Sequence, residues 1–158
     1  MQEIPLTQGY IALVDDTDMV LVSCHKWCVN RCRGKVYAGT SINGRSIRMH
    51  RVILGVRNGG VVDHRDRNTL NNTRANLRIC THKENVVNSP GWRGSFSRFK
   101  GVSWDNQRSK FLARIFHEGK AHNLGRFNIE EDAAIAYNNA ATEMFGSFAY
   151  LNEIGVPQ

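Results

Sequence analysis

Apolar residues in this chain fall mostly in short runs broken by polar turns, and only near the C-terminus do they take up a helical period. Residues 10–14 and 19–22 are apolar runs separated by Asp15, Asp16, Thr17 and Asp18, a pattern that predicts a hairpin. Trp27, Val36, Tyr37 and Ala38 continue a β-rich stretch. Asn43 and Gly44 form a turn dipeptide between strand-like pairs, so a second hairpin is expected there. Residues 49–54 read as a short helix ended by Gly55. This front portion predicts a small sheet with Tyr10, Trp27 and Tyr37 in its core.

The stretch 61–88 has a different organisation. Val61 and Val62 begin a strand that ends in Asp63 and His64. Residues 65–76 are dense in Asn, Asp, Arg and Thr, which favour turns and local side-chain bonds. Residues 77–80 alternate apolar and polar, as a half-buried strand does. Thr81 and Glu84 have the spacing of a capping box, so a helix should start there, and Ser89 with Pro90 should stop it. The order is strand, loop, strand, helix.

Pro, Gly and Ser then mark a linker, which holds Trp92 and Arg93. Strands are expected over 99–104, 110–116 and 121–127, with a turn at 117–120. Asn128 is a candidate N-cap, with Glu131 three residues on. Ala134, Tyr137, Ala141, Met144 and Phe145 recur at three and four, which predicts an amphipathic helix closed by Gly146. The fold class is α+β. The expected division is a domain over 1–90, a linker over 91–97, and a three-stranded antiparallel sheet packed on one helix over 98–152.

Charge sharpens the picture. The formal net charge is +7 over 158 residues. It is unevenly spread: residues 31–100 carry fifteen Lys or Arg against three Asp or Glu, while residues 128–158 carry five acids and no base. Such a distribution implies a polyanionic partner, nucleic acid before membrane. No apolar run approaches the roughly 20 residues of a membrane span, and the first residues lack the features of a signal peptide, so a cytoplasmic protein is expected. Cys24, Cys28 and Cys32 are spaced by four, with His25 beside them. On a helix that spacing would put the three on one face. Structural zinc sites usually show two-residue knuckles, so reduced thiols are the better reading, and Cys80 stands apart.

Asp63 and His64, then Asn76, then Asn85 resemble the signature of the HNH endonucleases, in the branch common among phage homing enzymes. The likeness extends to MHRVILG and LNNTRANLR and covers roughly residues 10–90. It implies a ββα-metal finger that cuts DNA. Phosphodiester hydrolysis needs an activated water, neutralised charge at phosphorus and a stabilised leaving oxygen. One hard divalent cation, Mg²⁺ or Mn²⁺, can supply the last two through oxygen ligands and the phosphate. Asp63 offers a carboxylate and Asn85 an amide oxygen. His64, pointing the other way on a strand, would take the proton from water. In the family's pattern Asn76 braces the loop and orients the histidine. His50 reads equally as a structural hydrogen-bonder or a phosphate contact.

FKGVSW, KFLARI, LGRF and EDAAIAYNNAA resemble the plant ethylene-response-factor DNA-binding domain, the Apetala-two family, over residues 97–152. That family docks its sheet in the major groove, with the helix behind. By position the likeness implies Lys100, Ser103, Trp104, Arg108, Lys110 and Arg114 as DNA-facing. Ser103 stands where the plant proteins commonly have Arg, and Arg114 where they commonly have Glu, so their base preference does not transfer. The resulting expectation is a monomeric homing endonuclease on double-stranded DNA, nicking one strand in a host cytoplasm, bacterial if phage-encoded. The rival is a non-catalytic DNA-binding regulator with a degenerate nuclease domain.

Overall fold

The computed structural model describes residues 1–57, 59–91 and 96–155. Its contacts divide the chain into two compact units, Met1–Asn85 and Val86–Gln158. The expected linker residues Trp92 and Arg93 lie outside the described residues. Among the described residues the fold is α+β, with four small antiparallel sheets and few helices.

In the first unit, β1 (Gln2–Pro5) pairs with β2 (Ile11–Val14). After the short helix α1 (Met19–Val22) come β3 (Cys28–Cys32), β4 (Lys35–Ile42) and β5 (Arg45–Arg48), a sheet in that order. The helix α2 (Met49–Ile53) leads to β6 (Val61–His64), which pairs with β7 (Leu77–Cys80), and α3 (His82–Val87) follows. Val14, Val22, Trp27, Ala38, Met49 and Leu77 are among the residues that close a single apolar core. Trp27 is buried there with its indole N–H on the Val22 carbonyl at 2.8 Å. Tyr10 packs at the core's margin, whereas Tyr37 does not join it.

The first expected hairpin is not formed. Residues 11–14 find their partner upstream in β1, and residues 19–22 coil into α1. The acid-rich turn Asp16–Asp18 is itself one turn of 3₁₀ helix and runs directly into α1, which buries Val22 and leaves Val20 exposed. Asp18 is buried at the start of that helix. The Arg74 guanidinium holds it at 2.7–3.1 Å and also donates to the Ile53 carbonyl at 3.1 Å. The second hairpin forms as expected: Asn43 and Gly44 both have positive φ, 51° and 76°, the backbone that a two-residue turn between twisted strands requires.

Three features place the β6–β7 ribbon. The loop between its strands lies along β2, through Leu13 N–H to Leu70 O and Asn72 N–H to Leu13 O, both 2.8 Å. Asn76 knits the loop internally, donating to Asp66 Oδ1 and Asn71 O at 2.8 Å and accepting from Asp66 N–H at 3.0 Å. The capping box is reciprocal: Thr81 N–H donates to Glu84 Oε2 at 2.7 Å, and Glu84 N–H to Thr81 Oγ1 at 3.2 Å. It starts α3 where the pattern predicts.

In the second unit, β8 (Val102–Asp105), β9 (Lys110–His117) and β10 (Lys120–Phe127) form a sheet with β9 central. The helix α4 (Glu130–Phe145) covers one face, burying Ala133, Ala134, Tyr137 and Ala141 against Val102, Ala113 and Ile115. Gly101 is required here: its φ is +77°, and a Cβ would sit 2.1 Å from the Tyr137 ring. The expected cap at Asn128 is corrected. Ile129 is the N-cap, with no side-chain bond, and Glu131 bonds Arg98 at 3.0 Å. Glu130, Glu131 and Asp132 in the first turn supply the favourable charge instead. Among the described residues no helix is long and apolar enough to cross a membrane.

Candidate active site

Asp63 and His64 end β6, and Asn85 lies on α3, the next helix. All three line one cavity of about 610 Å³, together with His82 of α3. Its other wall is the β3–β5 sheet. Asn30 pairs with Tyr37, Gly39 with Arg48, and Ser41 with Ser46, so Asn30, Lys35, Tyr37, Ser46 and Arg48 share one face, and that face borders the cavity. Arg51 and Arg67 add to its positive charge. These residues were not legible as site residues. The one signal was the period of two along β4, which sets Lys35 and Tyr37 opposite the buried Ala38.

His64 is buried, and Asn72 rather than Asn76 touches it, with Oδ1 at 3.4 Å from Nε2. Asn72 is itself buried and donates its amide N–H to Leu70 O at 3.0 Å, which leaves its oxygen toward the ring. An oxygen acceptor at Nε2 favours the tautomer protonated there. Burial lowers the His64 pKa, against the raising effects of the Asn72 bond and of Asp66 and Asp63. His50 stands edge-on to His64, ring centres 5.1 Å apart, with Tyr37 5.8 Å from it. Burial, then His64, Arg48 and Arg51, push the His50 pKa down to about 3, so it is neutral too. Arg48 lies 4.1 Å over the Tyr37 ring.

Asp63 is buried, and Arg78 from the paired strand donates to its Oδ2. A carboxylate and an amide oxygen in one basic cavity fit a hard divalent cation whose other positions go to water and phosphate. They do not make a closed cage: among the described residues no group of three or more His, Cys, Asp or Glu is placed to hold a metal ion. The cysteines are free thiols, and Cys28 and Cys32 lie on a strand rather than on a helix. Cys28 donates to Gly39 O at 3.2 Å.

The six residues named in the second unit do not share one surface. Ser103, Lys110 and Arg114 lie on the sheet face turned away from α4, where Arg126 and Asp105 pair at 2.9 Å. Trp104 alternates to the other face and packs between Phe96 and Phe111, ring centres 5.7 and 4.8 Å away. Lys100 is half-buried, and its ammonium donates to Val87 O and Ser89 O, both at 2.7 Å. Burial lowers its pKa to about 8. Arg108 lies in the β8–β9 turn, 3.6 Å from Asp105.

A strand pair and helix gather Asp, His and Asn in a basic cavity, an arrangement suited to phosphodiester cleavage. Comparison makes the class specific. Residues 48–87 match the family model described as HNH endonuclease. Over 153 residues the chain is 33% identical to an uncharacterized HNH endonuclease of Acanthamoeba polyphaga mimivirus, an alignment covering 93% of this chain and 77% of that protein. It is 35% identical over 91 residues to Protein 3.8 of Escherichia phage T7, covering 58% of this chain and 74% of that one. No solved structure matches the chain. The chain belongs to the HNH endonuclease family, whose members generally use a divalent metal and act on DNA.

Proposed function

We propose that this chain is a homing-type endonuclease that hydrolyses one phosphodiester bond of double-stranded DNA, nicking it at a site selected by its C-terminal unit. The observation that carries the catalytic reading is the meeting of Asp63, His64 and Asn85 in one cavity bordered by Lys35, Arg48, Arg51 and Arg67. Asp63 and Asn85 would hold the cation, Mg²⁺ or Mn²⁺ by the hardness of their oxygens. When bound, that ion neutralises charge at phosphorus and stabilises the leaving oxygen. His64 accepts the proton of the attacking water, with Asn72 beside its Nε2. Asn76 acts one step further back, holding the loop that carries Asn72. The basic side chains hold phosphates on either side of the scissile bond.

On this reading the nuclease domain spans 1–90, the linker 91–97 and an Apetala-two-like DNA-binding domain 98–152. Support for the last comes from the basic outer sheet face, with Ser103, Lys110 and Arg114 on it, and from the acidic helix behind. The geometry favours those three over Trp104 and Lys100 as DNA contacts. The protein acts as a monomer in the cytoplasm of a host cell, a setting in keeping with its viral relatives.

Conversion of supercoiled plasmid, with and without Mg²⁺ and beside His64→Ala, tests the reading. Metal-dependent open circles from wild type alone are expected. Equal conversion by the variant would remove His64 as the base, and EDTA-insensitive cleavage would remove the metal mechanism.

A further inference from the structure

His50 has no part in the roles assigned so far. It lies on α2, directly after β5, and is only 4% exposed. It lines the same cavity as Asp63, His64 and Asn85. Its ring contacts are edge-on, to His64 with centres 5.1 Å apart and to Tyr37 at 5.8 Å. Among the described residues no hydrogen bond is made to either nitrogen of its ring, yet no buried side-chain nitrogen lacks a partner. Both ring nitrogens are therefore open to the cavity. A polar ring so deeply buried normally finds its partner in the protein. This one faces space that a ligand can fill. Burial, then His64, Arg48 and Arg51, keep it neutral, so it carries one N–H donor and one lone pair. The cavity around it is cationic, with Lys35, Arg48 and Arg51 on its walls, and selects an anion.

The reaction says where that donor acts. A water attacking phosphorus comes to about 3–3.5 Å from it and stays within hydrogen-bond reach of its base. The non-bridging oxygens on that phosphorus are then close to the base as well. A ring packed against His64 is within reach of one of them. We propose that His50 is a catalytic residue that touches the substrate: its ring N–H donates to a non-bridging oxygen of the scissile phosphate while His64 takes the proton of the water. Negative charge on those oxygens must be met in the transition state, and a donor fixed beforehand by packing needs no reorganisation to meet it. The ring adds this bond without adding another charge beside Arg48 and Arg51. The inference rests on the reading of the cavity as the phosphodiester site.

The test is binding of the bisphosphate of thymidine to the full-length chain in Mg²⁺, followed by nuclear magnetic resonance of the histidine rings and by titration calorimetry. Wild type, His50→Phe and His50→Gln are compared. Phe keeps the packing of the ring and loses the donor, whereas Gln keeps an N–H donor and loses the ring. Saturation should shift the ring N–H signal of His50 in wild type. His50→Phe should bind about tenfold more weakly, as loss of a hydrogen bond to a charged group implies, and His50→Gln within a few fold of wild type. Binding by His50→Phe as tight as wild type makes His50 a packing residue and overturns the proposal. So does a His50 ring signal that stays in place while signals of Lys35 and Arg48 move, and the cavity reading then survives. That arm needs wild type alone, so it decides the matter if the variants do not fold or if both bind weakly. If no signal from the cavity moves, the reading of the cavity as a phosphate site falls, and the role of His50 with it.

Discussion

His64 is buried against a second neutral histidine, and this sets how the site answers to pH. A general base must be unprotonated. Because burial lowers the His64 pKa, the neutral form persists below the ordinary 6.5. Cleavage at saturating metal and DNA is therefore expected to hold level from neutrality down to pH 6.5 and to fall only below it. His64→Ala should cost at least about a hundredfold in cleavage, as loss of a general base does, while gel-shift affinity for DNA stays within a few fold. His50 affects stability. Its folded pKa, about 3, lies below the unfolded value, so its contribution is present above 6.5 and is lost as pH falls toward 3. The expected loss is a few kcal/mol, seen as falling urea midpoints between pH 7 and pH 4, and His50→Gln should flatten that slope. The resemblance to the HNH signature names Asp63, His64, Asn76 and Asn85, and all but Asn76 line one cavity. Asn72, Arg78 and the Tyr37–His50 pair are not legible in the same way. Their neighbours come from other strands, and a run with four Asn residues does not say which amide meets the ring.

At the scale of elements, local chemistry was readable wherever it was closed within a few residues. The capping box of α3 and the turn at Asn43 and Gly44 depend on nothing distant. Thr81→Ala should destabilise by about 1 kcal/mol, through loss of the bonds that start the helix carrying Asn85. Thermal unfolding measures it. Residues 11–14 and 19–22 were not readable, because their structure depends on β1 and on Arg74, each of which lies outside that stretch. Asn128 misleads for a related reason: Glu131, its expected capping partner, is bonded to Arg98. Gly101→Ala is expected to be far more damaging than an exposed glycine change. It forces a side chain into the Tyr137 ring at a left-handed backbone position, and the soluble yield of the variant should fall sharply.

For the whole molecule, the charge distribution predicts behaviour that single residues do not. Phosphate contacts make affinity fall with salt, in proportion to the number of charges engaged. Removing residues 97–158 takes away Lys110, Arg114 and Arg126 on the outer sheet face. The shortened chain should bind DNA more weakly, with a shallower dependence of log affinity on log salt, and cut at more sites. Equal slopes and an unchanged cutting pattern would place target choice in the first unit. The α+β class was legible from the short strand-like runs and the helical period near the C-terminus. The wall of the cavity formed by β3–β5 was not, because alternation reveals that a strand has two faces but not what the outer one meets.

The bond from Arg74 back to Asp18 joins residues 56 apart in the chain. Loops that long close late, since the entropy of bringing the ends together comes before any contact repays it. Asp15, just after β2, accepts from the Arg74 backbone N–H, while the Arg74 side chain joins the start of α1 to the end of α2. A ribosome that has released only the first strands has therefore released no cutting machinery. The cavity that Asp63, His64 and Asn85 line is complete only once the chain beyond Arg74, through Asn85, has been made.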